Sequence, residues 1–140
     1  MHPIQVAGPA VEPVGLADMR VYLRLDGDDA GGEDDLILAL IEAARLMVEA
    51  SSGVMLIDQT WRLHVPRLPA SGVLRLPLRP VSAVLAVRIG GPDGFETLDP
   101  AAAALEPGAD PPRLVLADPA RHAGCTAQID VVAGFGPGPE

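Results

Sequence analysis

The stretch from residue 33 to residue 53 carries the one long and unambiguous hydrophobic period of the chain. Its apolar residues recur at i, i+3, i+4 and i+7, a spacing that gathers side chains into one stripe on an α-helix. The stripe consists of Leu36, Ile37, Leu40, Ile41, Ala44, Met47 and Val48. Glu42, Arg45 and Glu49 occupy the opposite side. We therefore expect the stripe to pack on the rest of the chain and these three charged side chains to face outward.

Both ends of this helix are marked in the sequence. Glu33, Asp34 and Asp35 stand in the first turn, where the positive end of the helix dipole stabilises negative charge. Gly53 stands where a left-handed residue commonly ends a helix. The sequence therefore predicts a helix over residues 33–52.

The residues before this helix predict an extended arm and a short helix. Residues 1–15 contain three prolines and two glycines, which favours an extended arm. Residues 16–23 show a short amphipathic pattern that is too short to be a stable helix alone. We expect it to pack on the long helix, so that residues 16–57 form a helical hairpin. The joint from Asp26 to Gly32 resembles a calcium loop, but Ala30 and Ile37 stand where ligands are required, so we expect a solvated turn.

After Gly53 the hydrophobic period changes from 3.6 to 2, which is typical of half-buried strands. In the first strand, Trp61, Leu63 and Val65 share one face, and Arg62 and His64 share the other. The sequence predicts strands at Gln59–Val65, Val73–Leu76, Val81–Ile89, Phe95–Leu98, Arg113–Leu116 and Ala127–Ala133. Residues 99–112 fit either a helical turn or an edge strand. Short strands separated by turns indicate an antiparallel sheet or a small sandwich.

Together these patterns predict one domain over residues 1–140 of the α+β class. We expect an N-terminal helical hairpin, made of the short helix and the long helix 33–52, packed on a C-terminal antiparallel β-sheet or small sandwich over 58–133. Residues 134–140 alternate glycine with proline or phenylalanine until Glu140, so we expect a flexible tail.

Charge and composition exclude several classes of function. The 140 residues have a net charge of −9, and residues 1–57 alone hold 3 arginines against 10 acidic residues. Such a surface repels phosphate, which argues against a broad nucleic-acid-binding face. Cys125 is the only cysteine, so no disulfide can form within the chain, and we expect intracellular assembly. We expect neither a signal peptide nor a membrane-spanning segment.

A search for catalytic, metal and cofactor sites gives little. His122 and Cys125 lie close in sequence on a predicted loop, but no third orienting group stands near them. No pair of histidines has zinc-ligand spacing, and residues 134–138 precede no helix that could hold a phosphate. We therefore expect no enzyme activity, no cofactor and no metal.

From residue 14 to residue 65 a short helix, an acidic turn, a long helix and a Gln-Thr-Trp strand follow one another. The motifs are Val14-Gly15-Leu16-Ala17, Leu23-Arg24-Leu25-Asp26, Leu40–Arg45 with Val48-Glu49, Gly53, Leu56-Ile57 and Gln59–Leu63. This order closely resembles that of the head-tail connector, or adaptor, proteins of long-tailed bacteriophages, prophages and gene transfer agents. The end of the chain, Val131 to Gly136, is also similar to the end of many family members.

The resemblance implies a structural virion protein rather than an enzyme. Family members form a ring, commonly of twelve copies, between the portal and the next tail or stopper protein, and DNA passes through without sequence-specific binding. It places the chain in the neck of a virion or phage-like particle assembled in the bacterial cytoplasm.

The candidate partner-binding residues are Glu42, Arg45, Glu49, Gly134, Phe135 and Gly136. We expect the Phe135 tail and the outer face of the long helix to meet the portal. Two alternatives stay open: a stand-alone β-rich module that binds a peptide or carbohydrate, and a small hydrolase that uses His122 and Cys125.

Overall fold

Two antiparallel sheets with eight strands make up most of the fold. The computed structural model describes residues 1–25 and 32–139. The first element is a strand, His2–Ala7, and not a helix. The prediction of an α+β fold with an N-terminal helical hairpin packed on a sheet is therefore wrong, because the N-terminal residues extend the sheet themselves. The predicted joint at residues 26–31 lies outside the described residues.

The strands and helices follow one another along the chain with short connections. The strands are β1 (His2–Ala7), β2 (Gln59–Val65), β3 (Val73–Arg75), β4 (Val81–Gly91), β5 (Gly94–Thr97), β6 (Ala103–Leu105), β7 (Arg113–Leu116) and β8 (Ala127–Ala133). The helices are α1 (Leu16–Tyr22), α2 (Asp34–Ser52) and α3 (Pro119–His122). A 3-10 turn at Pro100–Ala102 precedes β6, so the segment that the sequence left open contains both a helical turn and a strand.

The larger sheet has the strand order β1-β2-β8-β4-β5. In its centre, Arg62 of β2 lies opposite Asp130 of β8, and Asp130 lies opposite Ala86 of β4. At one edge, β1 pairs with β2 so that Ile4 lies opposite Arg62. Pro3 fits this position because an edge strand needs fewer backbone donors than a central one. The N-terminal arm thus begins as an edge strand.

The smaller sheet has the order β3-β7-β6 and contributes one wall of the core. Leu114 of β7, Leu63 of β2 and Ile129 of β8 are completely buried in one cluster. Alternation explains this arrangement, because every second residue of these strands faces the other sheet. The main core therefore lies between the two sheets and is aliphatic.

The long helix α2 lies outside this main core. None of its residues belongs to the buried cluster, which begins at Met55. It packs beside α1, where Arg20 pairs with Asp34 at 3.1 Å. Gly53 ends α2 in a left-handed conformation, with its N–H 2.9 Å from the carbonyl oxygen of Glu49, as the sequence predicts.

Candidate functional site

The side of α2 that faces the body carries charge in its second half. Ile37, Ile41, Arg45 and Glu49 form the buried line of the helix, at i, i+4 spacing. Arg45 is 5% exposed and Glu49 is 4% exposed, whereas Glu42 is exposed. The expectation that Arg45 and Glu49 point away from the body is therefore wrong, since both find partners from distant parts of the chain.

These partners form a continuous network that fastens α2 to the body. Arg45 donates to Glu12 at 2.7 and 3.1 Å and to Glu49 at 2.9 Å. Glu49 in turn accepts from the Leu56 backbone N–H at 2.9 Å and from the Gln59 amide at 2.8 Å. The hydrogen bonds to Glu12, foremost, raise the pKa of Arg45 above its ordinary value, although burial acts in the opposite direction. The network joins the N-terminal segment, α2 and β2.

The opposite side of α2 is apolar and exposed, and we call it the outward face of α2. None of the three charged residues between positions 36 and 50, which are Glu42, Arg45 and Glu49, belongs to this face. Its members are Leu36, Ala39, Leu40, Ala43, Leu46 and Met47. Met47 is 73% exposed. A row of large exposed apolar side chains is typical of a surface that another molecule covers.

Other exposed apolar side chains extend this character into the N-terminal half. Val21 and Tyr22 of α1 and Ile4 and Val6 of β1 are all exposed. These residues contribute nothing to the core between the sheets. The N-terminal third of the chain therefore keeps much apolar surface available for contact.

Phe135 stands between two glycines whose backbones are hydrogen-bonded to the body. On the first side, the Gly134 N–H donates to the Pro80 carbonyl oxygen at 3.0 Å. The Asp58 N–H donates to the Gly136 carbonyl oxygen at 2.8 Å, and the Gly136 N–H donates to the Asp58 carboxylate at 3.0 Å. A Cβ on Gly134 would lie 2.4 Å from the Asp58 backbone nitrogen, so this close approach requires glycine. Between these two fixed glycines the Phe135 ring is 73% exposed.

A groove of about 460 Å³ lies beside Phe135. Val54, Val81 and Leu105 line it together with Phe135, and Arg79 and Asp110 stand at 3.5 Å from each other along it. Arg79 also donates to the Ser52 carbonyl oxygen at 3.2 Å, so the groove adjoins the C-terminal end of α2. An exposed aromatic ring beside a mostly apolar groove is suited to protein contact.

The face of the larger sheet that points away from the smaller sheet is polar at its centre, and we call it the outer sheet face. Asp130 accepts from Arg62 at 2.7 and 3.0 Å and from Arg88 at 2.8 Å. The Arg62 hydrogen bond, then that of Arg88 and both positive charges, lower the pKa of Asp130 against the effect of burial. Two guanidinium groups share one carboxylate, so the cluster of Arg62, Arg88 and Asp130 carries a net positive charge.

The two residues of the hydrolase alternative lie close together beside β5. The Cys125 N–H donates to the His122 carbonyl oxygen at 3.1 Å, and both residues line one pocket with Phe95. In the described part of the chain, no group of three histidine, cysteine or acidic residues is placed to hold a metal ion. No helix between residues 1–25 or 32–139 is long and apolar enough to cross a membrane.

Comparison with known proteins finds similar solved structures but no similar sequence family. No protein-family profile matches the chain, and no curated protein sequence matches it. Among solved structures, it is similar to a chain from the neck of an empty gene transfer agent (GTA) particle computed with C6 symmetry. That match has a TM-score of 0.81 and 26% identity over 99% of this chain and 73% of the other.

Two further solved structures agree with this match. A chain from the virion of a native GTA particle matches with a TM-score of 0.82 and 26% identity, over 99% of this chain and 74% of the other. A chain from the neck of a native GTA particle computed with C12 symmetry shares the fold at 23% identity, with a TM-score of 0.63 over 99% and 72%. The matches at 26% identity support a structural protein of the head-tail neck or connector type.

Proposed function

We propose that the chain is an adaptor subunit that forms a ring between the portal and the tail of a phage-like particle. The similarity to GTA neck chains over nearly the whole length supports this role, and neck structures computed with C6 and C12 symmetry agree with a ring. The observation that carries the proposal is the outward face of α2. A neck subunit needs contacts with neighbouring copies, and this apolar face has no intramolecular partner among the described residues.

Within the ring, Phe135 is the residue that we assign to the portal contact. Hydrogen bonds at Gly134 and Gly136 fix the backbone on either side of Phe135. Its phenyl group can therefore bind without the entropy loss of ordering a flexible tail. Exposed aromatic side chains beside a groove commonly supply a large share of binding energy. Of the other predicted contact residues, Glu42 is exposed and available for a partner. Arg45 and Glu49 are buried on the side of α2 that faces its own subunit.

DNA passage is the remaining part of the proposal. The net charge of −9 gives the chain no attraction for phosphate, so DNA would pass through the ring without adhering to it. We propose twelve copies, as the resemblance implies, with a downstream tail or stopper protein on the side away from the portal.

Native mass spectrometry and cryo-electron microscopy of the purified chain, with and without its portal protein, test the proposal. We expect closed rings, alone or on the portal. Met47→Glu should abolish ring formation because it places a charge on the outward face of α2. Val115→Glu is the matched control, because Val115 is an exposed apolar residue on the outer side of the smaller sheet. A chain that stays monomeric under both conditions would exclude the ring.

Portal binding is tested separately with Phe135→Ala. We expect the dissociation constant for the portal to rise by about 30-fold or more, since a buried aromatic anchor contributes about 2 kcal/mol or more. Phe95→Ala, in a second exposed phenylalanine on β5, is the matched control and should leave portal affinity unchanged. Equal effects of the two variants would remove Phe135 from the contact.

The groove beside Phe135 favours the peptide-binding module as a second candidate function. A module of this kind would bind an extended peptide as a monomer, and ring formation would not be needed. The mass of the purified protein in solution, as a ring or as a monomer, therefore separates the two candidates. Rings argue for the adaptor, and a monomer that binds peptides through the groove argues for the module.

A further inference from the structure

Two surfaces of the chain are available for contact with another copy. The outward face of α2 carries Leu36, Leu40, Leu46 and Met47 beside the small Ala39 and Ala43. The outer sheet face carries small residues beside its ion pairs, Thr60, Ala83 and Ala86, and the larger Ile4 and His64 next to Arg62. A helix packs well on a flat sheet surface when its large side chains meet small ones.

The two surfaces also have complementary charge. Asp35 and Glu42 lie on the same flank of the outward face of α2, seven residues apart and both exposed. Within the described residues neither has an ion-pair partner. On the outer sheet face, Arg62 and Arg88 outnumber the single carboxylate of Asp130, and each keeps N–H groups that Asp130 does not use.

The spacing of these charges matches. Seven residues along a helix span about 10 Å. Arg62 on β2 and Arg88 on β4 are separated by the one strand β8 and by two residues of register, which places their Cα atoms about 12 Å apart. Two carboxylates on one helix flank can therefore reach the two guanidinium groups at once.

We infer that the outward face of α2 of one copy packs on the outer sheet face of the next copy, with Asp35 and Glu42 beside Arg62 and Arg88. This inference rests on the proposed ring and names the surface that receives α2. The two surfaces differ, so the contact is head to tail, as a ring with more than two copies requires. The positive centre of the sheet face thus meets a carboxylate partner within the same assembly.

Cysteine crosslinking between separately labelled proteins tests the contact. In a Cys125→Ser background, one protein carries Leu40→Cys and a second, isotope-labelled protein carries Ala86→Cys. After mixing and treatment with a short bis-maleimide, we expect a crosslink between the two proteins. Val115→Cys in place of Ala86→Cys is the control, on the outer side of the smaller sheet, and should give no crosslink with Leu40→Cys.

Charge reversal supplies a second and independent test. Asp35→Arg with Glu42→Arg should raise the concentration needed for ring formation by about tenfold or more, because like charges then face each other. Arg88→Glu alone should do the same. The protein that carries all three changes should assemble nearly as well as wild type, because the charges attract again. Circular dichroism and thermal unfolding of each variant separate loss of contact from loss of fold.

The outcomes separate this inference from the proposed function. Rings whose Leu40→Cys position links only to a second Leu40→Cys, or not to the sheet at all, would overturn the contact and leave the neck role standing. A lack of rings would overturn the neck role, whereas the crosslink at the same concentration would still decide the pairwise contact. Binding of duplex DNA to the outer sheet face, lost on Arg88→Glu, would assign the arginines to phosphate instead and overturn the inference.

Discussion

The two sheets hold each other through aliphatic side chains, whereas the second half of α2 contacts the same body through charged ones. Leu63, Leu114 and Ile129 are completely buried in the aliphatic cluster between the sheets. At α2 the corresponding positions in the second half of the helix are Arg45 and Glu49. A helix normally turns its apolar stripe inward. Here a polar network fastens the second half of the helix, and the apolar side that carries Leu36, Leu40 and Met47 stays exposed.

In the proposed ring, this difference separates the contacts that fold the chain from those that assemble it. Aliphatic burial between the sheets supplies stability without any partner, because it removes apolar surface from water within one copy. The network of Glu12, Arg45, Glu49 and Gln59 sets the position of α2, since hydrogen-bonded ion pairs are strict about geometry. Polar contacts therefore set the position of the second half of the helix, and the proposed ring would use its exposed apolar side.

The largest effect on stability is expected in the core between the sheets. Leu63→Ala should lower the free energy of unfolding by about 2–5 kcal/mol, because Leu63 is fully buried and a cavity would remain. Urea unfolding followed by circular dichroism measures this. Leu85→Ala, at an exposed leucine of β4, should change the value by about 0.5 kcal/mol or less. Equal losses would show that the core does not dominate.

A smaller and more local effect is expected at the polar anchor of α2. Glu49→Ala should lower the free energy of opening α2 away from the body by about 2–4 kcal/mol. The change leaves the Leu56 N–H, the Gln59 amide and Arg45 short of an acceptor. Hydrogen exchange should speed up in α2 and stay slow in β8. Glu42→Ala, at an exposed glutamate of the same helix, should change neither. Faster exchange in β8 as well would mean that core and helix open together, and the contrast between them would fail.

Asp130 should give a pH-dependent effect of intermediate size on the outer sheet face. Its folded-state pKa lies below the ordinary value of 3.8, mainly through the hydrogen bond from Arg62, so its contribution is present above that value. As pH falls through the folded-state pKa, the carboxylate is protonated and the contribution is lost. Asp130→Asn should lower the free energy of unfolding by about 1–3 kcal/mol near pH 7. The difference in this free energy between wild type and variant should shrink below about pH 4. Unfolding at a series of pH values measures both, and a difference that stays constant down to pH 2 would contradict the assignment.

The smallest effect on the isolated subunit is expected on the outward face of α2. Met47→Gln should change the free energy of unfolding of the monomer by about 0.5 kcal/mol or less, since Met47 is mostly exposed. The same variant should weaken ring formation. Unfolding below the concentration at which rings form, together with mass photometry above it, checks the two parts. A large loss of monomer stability would mean that Met47 packs within its own copy.

The strands were accessible to sequence reasoning because their alternation is regular. Gln59–Val65 and Ala127–Ala133 agree with β2 and β8 at both ends. The strand β1 was missed because Pro3 and Pro9 suggested an unpaired arm, although Ile4 and Val6 alternate with polar or small residues. An edge strand tolerates proline, so the alternation was the better signal.

The orientation of α2 was the main error at the candidate site. Apolar residues occur on most of its circumference, with Ile37 and Ile41 buried and Leu36, Leu40 and Met47 exposed. Periodicity shows that a helix forms, but it does not choose between two apolar sides. The choice depends on Glu12 and Gln59, which are 33 and 10 residues away from their partners Arg45 and Glu49.

The sequence alone determined the extent of α2, its end at Gly53, the alternation of most strands and the resemblance to head-tail connectors. These features depend on local backbone preference and on short-range order, which neighbouring residues specify. Only the tertiary structure decided that α2 turns its leucines outward, that Asp58 binds the backbone of Gly136 beside Phe135, and that Asp130 joins two arginines. Each of these pairings joins residues far apart in the chain, so no local pattern records it.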